Sequence, residues 1–192
     1  MKSPTNPEAR KFIEGVIFLV AFALTIPVAN WMIGNIGTVC GGLGGPCLIP
    51  VAPGMMAPSG VLMIGAALVL RDLVQRRLGL GYSAGAVVIG AALSAWVAPP
   101  SLVLASGTAF LISEFVDMAI YTPLARRRLV LAVVLSGFFG LVVDSIVFLW
   151  LAFGSLQFLP GQIVGKAWMI LLFIPLIVYL RRRDERLGLA PA

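Results

Sequence analysis

Glu114 and Asp117 lie three residues apart inside SLVLASGTAFLISEFVDMAIY, the apolar stretch from Ser101 to Tyr121. In a helix that spacing puts both carboxylates on one face, and Ser106, Phe110, Ser113 and Tyr121 fall near the same face. An ionised side chain at the middle of a membrane span costs roughly 2.5 to 3.5 kcal/mol on insertion scales. A helix with one polar and one greasy side suits the wall of a cavity inside a bundle.

Asp144 and Lys166 interrupt two later apolar stretches. Left alone in lipid, the four groups would together cost on the order of ten kcal/mol, so they are expected to share an interior. Lys166 can neutralise Asp144 or Asp117, leaving two carboxylates that are protonated, hydrated or holding a ligand. Helix pairing through buried ion pairs is the plain alternative, although apolar packing would serve as well with less desolvation. Ionisable residues within spans more often mark a solute site.

Carboxylates accept hydrogen bonds, whereas lysine donates them. Such a cavity prefers a solute with adjacent N–H donors and at least one acceptor. A guanine-like edge fits: its ring N–H and exocyclic amine reach one carboxylate, and its carbonyl accepts a hydrogen bond from Lys166 or from Gln162, one turn earlier. Phe110, Trp168, Phe138 or Phe139 could stack on a flat ring.

Other chemistry is less well provided for. Without a histidine there is no imidazole base and no histidine metal ligand. Ser106 and Ser113 therefore lack an activating partner, and Glu114 with Asp117 as an acid pair is the best an enzyme reading offers. Cys40 and Cys47 have no histidine partners, so neither a metal site nor a cofactor is expected. No GxxxxGK[ST] loop occurs; energy for transport would come from a gradient, a metabolic trap after entry, or a separate ATPase.

The elements that must position these residues follow from composition. Of 192 residues, 60% are hydrophobic and 11% charged, against about 25% charged in soluble domains. The reading is a single all-α integral membrane domain over 1–192, with spans at about 12–34, 58–77, 82–98, 101–121, 129–153 and 162–180. The first apolar run also resembles a signal peptide, with Ala21-Phe22-Ala23 as a cleavage site, but it continues past that point. Asn35 to Pro58, rich in glycine and proline and uncharged, reads as a loop packed partly into the bundle mouth. Its Cys40 and Cys47 either close a small disulfide or remain thiols.

RDLVQRR, from Arg71 to Arg77, closes the second span. Arg76 and Arg77 read as anchors snorkelling to headgroups; Arg71 and Asp72 fit either that role or the cavity. The third span, dense in Gly and Ala, reads as a packing helix, and Pro99-Pro100 forces a sharp turn after it. Ser136, Gly140 and Asp144 make a narrow stripe on the fifth span, and RRRDERLGLAPA reads as an exposed tail.

Net charge is +6, but its placement says more than its sum. Basic clusters precede span one, follow spans two and four, and follow span six; Lys166 is the exception among the 14 lysines and arginines. Nucleic acid is not an expected partner, whereas the bilayer is. By the excess of positive charge inside, both termini are expected to be cytoplasmic; the membrane expected is the plasma (inner) membrane of a prokaryote.

The segment ASGTAFLISEFVDMAIY, from Ala105 to Tyr121, resembles the hallmark of the vitamin uptake transporter-like family, the queuosine precursor transporters. RDLVQRRLG, from Arg71 to Gly79, resembles that family's charged end of span two, and Asp144 also matches. The resemblance implies a six-helix fold like the substrate-binding components of energy-coupling-factor transporters. It also implies import of 7-cyano-7-deazaguanine or 7-aminomethyl-7-deazaguanine, with Glu114, Asp117 and Asp144, then Arg71 and Asp72, as ligand candidates. The carrier would work alone, as a homo-oligomer, or with a separate energising subunit. Another vitamin-like or nucleobase-like solute, a membrane enzyme and an assembly subunit are the competing functions.

Overall fold

The computed structural model describes residues 7–41, 46–98 and 100–188. Met1 to Asn6 of the polar tail, the centre of the cysteine loop, Pro99 and the last four residues lie outside them. Six helices form the body: α1 Pro7–Asn35, α2 Val61–Leu78, α3 Leu80–Val97, α4 Val103–Ala125, α5 Leu129–Phe153 and α6 Leu159–Leu187. The chain is an all-α multi-pass membrane protein, and five of these helices are long and apolar enough to cross a bilayer. The sixth, α2, carries Arg71, Asp72, Arg76 and Arg77. It is also the most enclosed, with every residue from Gly65 to Arg77 buried.

Short connections make sequential helices antiparallel. Between α2 and α3 the chain turns on one residue, Gly79, whose φ of 92° suits glycine. The basic clusters consequently gather at one end of the bundle. Exposed aromatic residues sort by end as well. Trp31, Trp96 and Trp150, all exposed, lie in the final turns of α1, α3 and α5, away from the basic end. Tyr82 and Tyr179, also exposed, lie toward the basic end. Belts of this kind sit at the two membrane interfaces, and between them the outer face is Phe, Ile, Leu and Val.

The uncharged segment after α1 is a sheet, where a loop was expected. Strands β1 Val39–Cys40, β2 Cys47–Ala52 and β3 Met55–Pro58 pair antiparallel in the order β1-β2-β3. Cys40 faces Cys47 across the first pair, and the two form a disulfide. Pro53-Gly54 makes the hairpin turn, with φ of 71° at Gly54, as a proline-glycine turn requires. A register shift between Pro50 and Ala52 accommodates the ladder hydrogen bond that Pro50 cannot make. The sheet covers the end of the bundle opposite the basic clusters, and Gly161 of α6 fits so tightly against it that an added Cβ would lie 2.1 Å from the Met56 carbonyl oxygen.

The end of α6 also differs from expectation. The helix runs on to Leu187, and Asp184, placed by sequence in an exposed tail, is buried. Its burial follows from its partners. Arg76 and Arg77 both bond to it, at 2.8 and 2.9 Å for the shortest contacts. Arg77 also reaches Glu14 of α1 at 3.0 Å, and Arg183 bonds to the same carboxylate. Arg76 and Arg77 are thus not headgroup anchors: with carboxylates on α1 and α6 at hand, they clamp three helices together at the basic end.

Candidate functional site

Every helix contributes to a cavity of about 60 Å³ beneath the sheet. Asn30 comes from α1, Val61 and Ile64 from α2, Ser94 from α3, Ser106 and Phe110 from α4, Asp144 and Phe148 from α5, and Gln162 from α6. Pro58, at the end of β3, completes the wall on the sheet side. Donors and acceptors thus ring a space with two aromatic side chains. Asn30 Nδ2 already bonds to the Ile26 carbonyl at 3.0 Å, one turn back along α1.

Below the cavity lies the first ion pair. Lys166 Nζ is 2.6 Å from Asp144 Oδ2 and donates to Ser145 Oγ at 2.8 Å. Asp144 is the partner that sequence left open between it and Asp117. Ser113 Oγ stands 3.4 Å from Asp144 Oδ1. Close helix approach puts these groups together: at Gly65 of α2, an added Cβ would lie 2.8 Å from the Lys166 carbonyl oxygen.

One helical turn deeper is a second cluster, built around α2. Arg71 holds three carboxylates at once: Asp72 at 2.9 Å from Nη1, Glu114 at 3.0 Å from Nε and Asp117 at 3.0 Å from Nη2. All four side chains are at most 1% exposed. Sequence reasoning left two carboxylates without a cation because it counted Lys166 alone among interior bases; α2 brings Arg71 and Asp72 inside too. Ser136 of α5 donates to Asp72 at 3.2 Å. Gly140 gives Asp117 room, since an added Cβ would lie 3.1 Å from the Asp117 Cβ. The Ser136, Gly140 and Asp144 stripe is therefore the face that α5 turns toward the charged interior.

The polar line continues. Arg71 Nη1 donates to Gln75 Oε1 at 3.2 Å, and Gln75 Nε2 donates to Thr122 Oγ1 at 2.9 Å. Arg71 also sits over the Tyr121 ring, 5.7 Å from its centroid. Past Gln75 come Arg76, Arg77 and their carboxylates at the basic end. Polar groups thus run through the bundle in layers from the cavity to the opposite face.

The nine residues singled out from sequence divide between these layers. Phe110, Asp144 and Gln162 line the cavity; Ser113 and Lys166 bond to Asp144 from behind it. Glu114, Asp117, Arg71 and Asp72 meet one another deeper and do not line the cavity. Trp168, Phe138 and Phe139 are about half exposed on the outer surface, so they are not ring platforms; Trp168 instead donates to the Val51 carbonyl in the sheet at 3.0 Å. Reasoning from sequence missed Asn30, Ser94 and Phe148. Asn30, a polar residue beside Pro27 in an apolar span, was the one visible signal.

A family model described as "putative vitamin uptake transporter" matches residues 94–180. That segment covers α4 and α5 whole and carries Phe110, Ser113, Glu114, Asp117, Asp144, Gln162 and Lys166. The chain is similar there to a family of transporters rather than of enzymes. No curated protein and no solved structure matches the chain.

Proposed function

We propose that this chain imports a small deazapurine base, 7-cyano-7-deazaguanine or 7-aminomethyl-7-deazaguanine, through the cavity beneath the sheet. The observation that carries the reading is the lining itself. Six helices converge on a space where a carboxylate, two side-chain amides and two serines stand with Phe110 and Phe148. Asp144 accepts from the ring N–H and exocyclic amine of a guanine edge. Gln162 or Asn30 donates to the carbonyl, and an aromatic face stacks on the ring. At about 60 Å³ the cavity has room for a few waters; in this reading it widens to admit a base.

The family description supports uptake of a vitamin-like solute, and the resemblance of Ala105 to Tyr121 to queuosine precursor transporters favours a deazaguanine among such solutes. The same resemblance suggests the substrate-binding fold of energy-coupling-factor transporters, with or without an energising subunit or a second copy. In this reading the basic end is cytoplasmic, both termini lie there, and the disulfide-bonded sheet faces outside a prokaryotic plasma membrane.

The test is growth of a strain unable to make or import the precursor, with and without this chain, scored by queuosine in transfer RNA. Restoration at nanomolar precursor is expected in the strain that carries it. Equal queuosine in the two strains overturns the reading. Restoration by a different vitamin-like solute alone would favour the broader family function.

A further inference from the structure

The cluster around Arg71 has more negative charge than its cation can balance. One guanidinium faces Asp72, Glu114 and Asp117. The next bases along the axis are committed elsewhere, Lys166 to Asp144 and Arg76 to Asp184. Two ionised carboxylates would remain in a region at most 1% exposed to solvent. Uncompensated buried ions cost several kcal/mol each, and like charges sharing one site do not all ionise.

A second observation is independent of the count. Among the described residues, neither oxygen of Asp117 accepts a hydrogen bond of good geometry, and none bonds to the Tyr121 hydroxyl, one turn further along α4 and 1% exposed. Tyr121 lies within electrostatic reach of both Asp72 and Asp117. Ser136 stands beside the same two acids and donates to Asp72. A hydroxyl has one proton, so it serves both carboxyls only when one of them is itself a donor.

We propose that the Arg71 cluster is a proton site: Asp72, Glu114 and Asp117 together hold at least one exchangeable proton, whose passage along the polar axis drives solute entry. A carboxylate oxygen takes the proton from water on the cavity side, by way of Asp144 and Ser113. The resulting carboxylic acid returns it to water at the basic end, past Gln75. No electron pair or other group is transferred. Arg71 fills the centre of the cluster, which leaves the acids no common point for a metal ion. The coupling half of the proposal rests on the import reading; the proton site itself does not.

The closing experiment has two arms. First, the purified full-length chain in lipid nanodiscs is examined by infrared spectroscopy at neutral pH for the carbonyl stretch of a protonated carboxylic acid and its downshift in D2O. The band is expected in the unaltered protein and weakened in Asp117→Asn, with Glu114→Gln as a second variant should the first fail to fold. Its absence from the folded, unaltered protein overturns the proton site.

Second, proteoliposomes are tested for uptake of 7-cyano-7-deazaguanine under an imposed pH gradient, acid on the sheet side. Accumulation should rise about tenfold per pH unit for one proton per solute, collapse with a protonophore, and lose its gradient dependence in Asp117→Asn. Uptake indifferent to the pH gradient, or driven by a sodium gradient instead, overturns the coupling and leaves import standing. No uptake under any gradient removes the import reading and coupling with it, and the infrared band still decides the proton site.

Discussion

Asp144 does two things at once, since it lines the cavity and neutralises Lys166. Its replacement by Asn should therefore cost stability as well as function. Breaking a buried pair by removing one partner costs about 3 to 5 kcal/mol, so Asp144→Asn should melt well below the unaltered protein in detergent. Replacing both partners, Asp144→Asn with Lys166→Met, should recover part of that stability and none of the uptake. Gln162→Leu is a cleaner probe of binding, because Gln162 lines the cavity outside both ion clusters. Loss of one hydrogen bond in a desolvated site is worth about 1 to 3 kcal/mol, so the solute should bind roughly 5- to 150-fold more weakly by equilibrium titration. The polarity of this site was visible in the chain from its intramembrane charges, but the division into a lining and a deeper cluster was not. Glu114 and Asp144 look alike in sequence; only the approach of α2 decides which of them meets Arg71.

Among the elements, α2 departs most from what its sequence alone suggests. Its charged half looked like a helix end reaching headgroups because Arg76 and Arg77 sit one turn before Gly79. Their partners, Glu14 and Asp184, are more than 60 and 100 residues away, and neither spacing nor periodicity reports pairing over such distances. Asp184→Asn leaves two buried arginines short of a carboxylate and should cost about 3 kcal/mol, read as a lower melting temperature that Glu14→Gln lowers further. The sheet, by contrast, was legible and overlooked. Pro53-Gly54 is a turn signal between two short apolar segments, and the density of glycine around it hid the strands. Closing a loop of about eight residues, the Cys40–Cys47 disulfide contributes about 2.5 kcal/mol by loop entropy. Cys40→Ser with Cys47→Ser should lower the melting temperature to the value the unaltered protein shows in reductant, and reductant should not lower it further.

Over the whole molecule, the two ends of the bundle differ in kind. One is a disulfide-bonded sheet above a cavity with tryptophans around it; the other is a lattice of arginines and carboxylates with tyrosines around it. Periodicity and basic clusters make the number and course of the helices readable from sequence, because the membrane demands about 20 apolar residues per crossing. A cysteine introduced at Arg127 should react with a membrane-impermeant maleimide only in opened cells, and one introduced at Met55 should react in intact cells. The reverse pattern would place the sheet inside.

The enclosure of α2 also constrains how the protein is made. Its Arg71, Asp72, Arg76 and Arg77 make it a poor lipid-facing segment, and the carboxylate that satisfies Arg76 and half of Arg77 belongs to α6, which is synthesised well after α2. During synthesis α2 must wait, sheltered at the translocon or beside α1, until α6 has emerged. A nascent chain halted after α5 should leave α2 outside the bilayer or open to proteolysis. Completion of α6 should rescue it, so that maturation of the protein is timed by a helix made long after the one it shelters.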